Sequence, residues 1–536
     1  MHESQLQTSH AIGPDHPPVR EITIGQALEE AAAQRPDGIA LIKGCEDPAA
    51  RREWTYAELL AESQTAAKAL LSQFDPGDRI AVWAPNIPEW VILEYACALA
   101  GMILVTVNPS FQPEELRYVL QNSKSTALFT MNEFRGNRMM KHAQSVESEC
   151  EHLQQVFPFE HWDEFLNTGR ESQAELPDVL PGDAVMIQYT SGTTGFPKGA
   201  LLHHRGLYNN GAHTLDRMAA PMYGPFMGIA PLFHTAGSAV SVLGALSRQS
   251  PLVLVEQFLP GLVLELFETY RGSAMVGVPT MLIAMMEHPD FERRDLSAVQ
   301  AVCSGGSTVP AHLVQKLEDV LQAPFTIVFG QTECSPVASM TRADDTVDDK
   351  ANTLGGPMPG VEVKIINPET GETLPCGEIG EYCTRGYHVM KSYFEMPEKT
   401  AEAIDAEGWL HTGDLCAMDS RGYCTVEGRI KDMIIRGGEN LYPREIEEML
   451  FKHDSVAEVA VVGLPDDRMG EEAGAFLRAA PGASIDQQEL FAYLREHLSP
   501  QKTPRFWYVV DEFPLTGSGK IQKFVLRQKW IDGEFG

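Results

Sequence analysis

Positive charge is what this chain has least of: across 536 residues, 42 Lys and Arg stand against 74 Asp and Glu, a formal net charge of −32. Such an imbalance argues against nucleic acid or an anionic membrane as the main partner. Any anionic ligand must therefore be met by a local basic patch. Paired cysteines are missing too. The nine cysteines are scattered with no CxxC, which indicates neither a zinc site nor a disulfide framework and reads as reduced thiols in a cytosolic protein. The stretch MHESQLQTSHAIGPDHPPVR has no apolar h-region and carries acidic residues, so it is not read as a secretory signal. The most apolar run, WVILEYACALAGMILVTV, is broken by Glu94 and Gly101, and reads as a buried helix followed by a buried strand rather than a membrane span. No repeat or low-complexity tract stands out. The expectation is a soluble, cytoplasmic protein of at least two domains.

What is present is an alternation of helix and strand. Thr55 and Glu58 fit a capping box opening an amphipathic helix through about Leu71. A strand from Arg79, a helix from Pro88, a strand ILVTVN, a helix from Pro113 and a strand TALFT follow. Continuously apolar strands between helices imply a parallel sheet covered on both faces. The pattern resumes at MIQYT and persists to about Cys334; from Gly355 short strands and turns suggest a β-rich lobe. Glycines and charges cluster near GRIKDMIIRGGEN, read as a linker. The expected class is α/β: residues 1–430 as a large N-terminal domain of αβα layers plus the β-rich lobe, and residues 431–536 as a small, mobile C-terminal α+β domain.

Chemistry concentrates in a few loops. YTSGTTGFPKG, Tyr189 to Gly199, sets hydroxyls and a lysine between glycines after an apolar strand, a composition suited to the β- and γ-phosphates of a nucleotide. It is not a P-loop, because Pro197 precedes Lys198 and Gly199 follows, which puts the lysine on a loop. The alternative is a flexible surface turn. In VFGQTE, Phe329 suits a purine, Thr332 a phosphate oxygen and Glu333 magnesium, although a glutamate at a strand end is often merely solvated. CSGGS exposes backbone at Gly305 and Gly306, or is simply a turn. HTGD places Asp414 after a tight turn, suited to the two hydroxyls of a ribose or equally to a cap.

The order of these pieces decides between the readings. YTSGTTGFPKG, PLFHTAG, CSGGS, FGQTE, HTGD, GRIKDMIIRGGENLYPREIE and PLTGSGKIQK resemble, in sequence order from about Trp54 to Lys523, the adenylate-forming superfamily of acyl-CoA synthetases. The linker and ILVTVNPSFQ look most similar to the medium-chain fatty acyl-CoA synthetases. The resemblance implies ATP, Mg2+ and coenzyme A as cofactors and a carboxylic acid as substrate, with no nucleic acid and no transmembrane segment. A homodimer is left open. It implies that Thr190, Ser191, Gly192, Thr193, Thr194 and Lys198 hold the triphosphate, that Gly305, Gly306, Phe329 and Gly330 surround adenine, and that Thr332 meets the α-phosphate with Glu333 on magnesium. Asp414 and Arg429 would bind the ribose, and Lys520 would bridge the acid and the α-phosphate. His234 would stand at the acid–CoA junction, or be a satisfied structural histidine. Lys431, where many relatives have Asp, would be the hinge, and Phe329 stands where Tyr is frequent.

CoA also needs an anion site. Between Ser499 and Trp530 six cationic side chains face two carboxylates, with Arg436 and Arg444 beside Gly437 and Gly438, which would let pantetheine approach the backbone. A solvated basic face is the alternative. The small-residue segment TAGSAVSVLGAL reads as a narrow acyl channel or as close helix packing. Taken together the resemblance implies an AMP-forming acid–CoA ligase acting on a hydrophobic, medium-chain acid. An aryl or alicyclic acid, or transfer of the adenylate to a carrier-protein thiol, are the enzymatic alternatives. A nucleotide-binding protein without turnover is the third, and intact Lys198, Glu333 and Lys520 speak against it.

Overall fold

The computed structural model describes residues 5–535 except 191–196, 307–308, 310, 438, 467 and 516–520. The helix Tyr56–Leu71 begins at an N-cap Thr55 whose hydroxyl accepts from the Glu58 backbone while the Glu58 carboxylate accepts from the Thr55 N–H, the reciprocal box its sequence specifies. Pro88 opens the next helix, Pro88–Ala100, which ends at Gly101 in the left-handed conformation. Nearly every residue of this helix is buried, Glu94 included at 1% exposure. Desolvation raises the Glu94 carboxyl well above the ordinary carboxylate range. The carboxyl that interrupts the apolar run is therefore carried into the interior, where burial favours its neutral form.

Among the described residues the strands form four sheets. In the seven-stranded sheet Ala184–Thr190, Ile103–Val107, Arg79–Trp83, Ala127–Thr130 and Gln155–Pro158 run parallel, with Lys198–His203 and Ser392–Tyr393 added antiparallel at one edge. The nine-stranded sheet has a parallel centre that includes Ala301–Gly305 beside Phe325–Gly330. One sheet covered on both faces was the expectation, and there are two. A helix that is hydrophobic all round needs apolar partners on every side. Pro88–Ala100 meets that need by packing against Ile103–Val107 of one sheet and Ile39–Gly44 of the other.

The β-rich lobe is a five-stranded antiparallel sheet running His10–Ile12, Val361–Ile366, Ile379–Gly386, Leu410–Met418, Cys424–Arg429. A last sheet takes its strands from residues 434–509, with the helices Pro443–Phe451, Gln487–His497 and Lys523–Ile531 nearby in sequence. None of the nine cysteines is in a disulfide. Among the described residues no helix is long and apolar enough to cross a membrane.

Candidate active site

The glycine- and hydroxyl-rich loop is the tip of a β-hairpin. Strand Ala184–Thr190 enters it and strand Lys198–His203 leaves it, with Thr190 facing Lys198 in register. Ser191, Gly192, Thr193 and Thr194 lie outside the described residues. Lys198, expected on the loop, is instead the first residue of the outgoing strand. The ladder captures it because Gly199 pairs with Tyr189 on one side and accepts from the Phe394 N–H on the other. Its Nζ lies 4.0 Å from the centre of the Tyr393 ring, and the Tyr393 phenol donates to Glu333 Oε1 at 2.6 Å. Desolvation lowers the Lys198 ammonium, with Glu333 opposing it. Burial, then the Glu333 carboxylate, hold the Tyr393 phenol far above its ordinary value. Tyr393 is thus a permanent donor.

Glu333 is delivered by the strand Phe325–Gly330 and the 3-10 turn Thr332–Cys334, where Thr332 and Glu333 are both buried. The strand ends in an irregularity between Phe329 and Gly330. Only glycine fits there, since a Cβ at Gly330 would lie 1.9 Å from the Pro336 carbonyl oxygen. Gly305 pairs with Val328 in the neighbouring parallel strand and Gly306 follows it, while the Phe329 ring meets Tyr382 edge-on at 5.0 Å. Gly305, Gly306, Phe329 and Gly330 therefore share the carboxyl ends of adjacent parallel strands, where open α/β sheets bind ligands.

HTGD is not a tight turn. It lies inside the strand Leu410–Met418, as a bulge in which Cys383 faces His411 but Glu381 already faces Leu415. Gly413 takes up the surplus chain at φ +72, a conformation an L side chain rarely adopts. Asp414 emerges buried, opposite Arg429, whose Nε donates to Asp414 Oδ1 at 2.8 Å. Asp414 is the main reason the Arg429 guanidinium is raised, and Glu333 adds to it. Lys431 follows in the 3-10 turn Ile430–Asp432. Desolvation, then the like charge of Arg429, lower its ammonium to about 8, and Lys198 repels it as well. Three cations from two chain segments, Lys198 from one and Arg429 and Lys431 from the other, thus gather around Glu333 and Asp414 in a strongly acidic protein.

Residues 28–394 match the model of the AMP-binding enzymes, and residues 445–520 that of the AMP-binding enzyme C-terminal domain. The chain belongs to the AMP-binding enzyme family. This AMP-binding enzyme is 39% identical over 538 residues to YngI of Bacillus subtilis (strain 168), provisionally named an acyl-CoA synthetase, covering 95% of this chain and 97% of that one. It is 36% identical over 540 residues to the mitochondrial medium-chain acyl-CoA ligase ACSF2 of Bos taurus, covering 95% and 87%. ATP-bound MatB from Rhodopseudomonas palustris superposes with a TM-score of 0.86 at 27% identity, over 95% of this chain and 99% of that one.

The remaining expected residues of this AMP-binding enzyme belong to other segments of the chain. His234 is exposed, and its Nδ1 accepts from the Ala236 N–H at 3.3 Å, at the start of the segment expected to line an acyl channel. That segment, Ala236–Leu243, is a π-helix. It is fastened to the seven-stranded sheet, because Thr106 Oγ1 donates to the Phe233 carbonyl at 3.0 Å and Gln188 Nε2 to Ser238 Oγ at 2.8 Å. Its small residues admit a neighbouring backbone: a Cβ at Gly211 in the helix His204–Arg217 would sit 2.4 Å from the Ala239 carbonyl oxygen. A cavity lined by Tyr95, Val242, Ala245 and Leu246 holds only about 10 Å³, the size of a single water.

The expected CoA patch is largely neutralised. Arg436 pairs with Glu472, Arg444 with Glu448, Lys502 with Glu445, Arg505 with Asp466, Lys523 with Glu447, Arg527 with Glu471 and Lys529 with Glu534. Most of the acidic partners come from other strands and helices of the same region, while Glu448 lies in Arg444's own helix and Glu534 just beyond Lys529's. Gly437 has φ +61, Gly438 lies outside the described residues, and so does Lys520. Tyr393, Gln188 and Glu381 were not singled out by sequence reasoning, and no spacing rule flags them.

Proposed function

We propose that this enzyme is an ATP-dependent acid–CoA ligase that activates a medium-chain fatty acid as acyl-AMP and passes the acyl group to CoA. The observation that carries this reading is the gathering of Lys198, Arg429 and Lys431 about Asp414 of the antiparallel lobe and Glu333, which follows the carboxyl end of the parallel strand Phe325–Gly330. A free carboxylate is a poor acyl donor, because oxide would have to leave. In the first half-reaction a carboxylate oxygen attacks the α-phosphorus, the bond to the β-phosphate bridge breaks, and pyrophosphate departs. In the second the CoA sulfur attacks the acyl carbonyl, losing its thiol proton, and AMP leaves.

In this reading Thr190 to Thr194 and Lys198 grip the β,γ end, Thr332 bonds the α-phosphate, and Gly305, Gly306, Phe329 and Gly330 surround adenine. Asp414 takes the ribose hydroxyls with Arg429 beside it. Lys520 meets the charge that grows on the α-phosphate. Glu333 suits magnesium, since it is a buried hard-oxygen donor with one oxygen oriented by the Tyr393 phenol. When bound, the ion would neutralise charge on the phosphates and on departing pyrophosphate. We divide the chain at residues 430 and 431, with the small domain turning about Lys431 between half-reactions and Gly437 and Gly438 admitting pantetheine. His234 gates the acid–CoA junction.

Acid-dependent pyrophosphate release across a panel of carboxylates, with and without CoA, tests the reading. Octanoate should exceed acetate and benzoate, each methylene contributing up to ~0.8 kcal/mol until the channel ends. A higher kcat/KM for benzoate removes the fatty-acid assignment. Adenylation without any thioester in the presence of CoA would point to a carrier-protein thiol.

A further inference from the structure

We infer that Glu381, oriented by His411 and Asp405, is a positioning residue that holds the HTGD bulge in the shape that presents Asp414 to the nucleotide sugar. The inference rests on the ribose reading of Asp414 given above. Asp414 does not reach its place by strand geometry alone, because the bulge and the positive φ of Gly413 leave the local backbone without a regular ladder. Glu381, 8% exposed on the neighbouring strand Ile379–Gly386, supplies the missing partner: its Oε1 accepts from the Gly413 N–H at 3.1 Å. Its other oxygen, Oε2, accepts from His411 Nδ1 at 2.9 Å, and His411 Nε2 lies 3.6 Å from Asp405 Oδ2. Asp405 is itself fixed by the backbone N–H groups of Glu407 and Trp409, both 2.9 Å from Oδ1. On the far side of Gly413, Thr412 Oγ1 donates to the Tyr382 carbonyl at 2.7 Å and accepts from the Asp414 N–H at 3.1 Å. Both peptide N–H groups that set the Asp414 backbone are therefore captured by side chains.

Glu381, Cys383 and His411 also bring a carboxylate, a thiol and an imidazole within 4.8 Å of one another. A metal would require both the thiol and the imidazole to shed protons. The Glu381 hydrogen bond raises the His411 pKa, and burial drives the Cys383 thiol far up. The cluster is built as a relay from Asp405 through His411 to Glu381, with His411 hydrogen-bonded to Glu381.

Discrimination between ATP and 2′-deoxyATP separates this role from plain structural support, because only a displaced Asp414 should blur it. Glu381→Ala should raise KM for ATP and cut the preference for ATP over 2′-deoxyATP by about tenfold each, the effect of losing one buried hydrogen bond, with kcat at saturating ATP changed less than about threefold. Glu381→Gln, whose amide oxygen still accepts from Gly413, should recover most of that preference. If Glu381→Ala does not fold, Glu381→Asp decides, since one methylene fewer cannot span both Gly413 and His411 and should lose the preference likewise. Should these variants keep the parental preference while Asp414→Asn loses it, the relay is refuted and the ribose reading stands. Should Asp414→Asn also keep it, the ribose reading fails and the relay falls with it. Stoichiometric zinc in the purified enzyme, lost with Cys383→Ser, would overturn the relay in favour of a metal site.

Discussion

Tyr393 joins Lys198 and Glu333, the two charged groups assigned above to the triphosphate and to magnesium, and replacing it by phenylalanine separates its contributions. The ring would remain under Lys198 Nζ, now 4.0 Å from its centre, while the hydroxyl that donates to Glu333 at 2.6 Å would be gone. Glu333 is 6% exposed, so water cannot readily replace the lost donor. A hydrogen bond to a buried charged group contributes about 1.5–3 kcal/mol, roughly ten- to a hundredfold. Tyr393→Phe should therefore lower kcat/KM for ATP in acid-dependent pyrophosphate exchange by about that factor. Tyr393→Leu also removes the ring from beneath the ammonium and should cost about 0.5–2 kcal/mol more. In a double-mutant cycle with Glu333→Gln, the coupling should reach at least about 1 kcal/mol, since contacting residues are not additive. Additivity of the two changes within ~0.5 kcal/mol, or identical rates for the Phe and Leu variants, would refute the argument.

Lys520→Ala should lower adenylation by at least about 10²–10³-fold, the usual effect of one preorganised donor, while supplied acyl-AMP is still converted to thioester. Equal damage to both half-reactions, measured separately, would point to misfolding instead. Lys431→Pro, which restricts φ where the hinge must turn, should leave pyrophosphate exchange near normal and depress thioester formation, whereas Lys431→Ala should do far less; identical behaviour of the two moves the hinge elsewhere. Burial holds His203 at about 4 and both His204 and His388 at about 3. Their contribution is complete above the unfolded value near 6.5 and is lost as pH falls from there towards 3–4, at up to ~1.4 kcal/mol per pH unit for each histidine. Melting curves between pH 8 and 5 should decline on the acid side, and His388→Gln should flatten that decline; an unchanged slope would contradict it.

Local rules wrote much of this molecule. The capping box at Thr55 and Glu58, the proline openings at Pro88 and Pro113 and the apolar strands Arg79–Trp83 and Ile103–Val107 follow from neighbours a few residues apart. The glycine-rich and acidic motifs were legible for the same reason, each being a short run of contiguous residues. Partnership over long separations was not. Which of two sheets a strand joins depends on pairing that no period of two or 3.6 encodes, and the almost wholly buried helix Pro88–Ala100 reveals its second sheet only when packed. The basic tail shows its charges in line along the chain, and folding sets carboxylates such as Asp466 and Glu447 against several of them. Tyr393 meets Glu333 across 60 residues, and Glu381 catches Gly413 across 32. Sequence by itself determined the capped helices, the apolar strands between them, the motifs and the family. Tertiary structure decided how a β-bulge and two buried hydrogen bonds aim the carboxylates, because a side chain's orientation is set by whatever the fold brings opposite it.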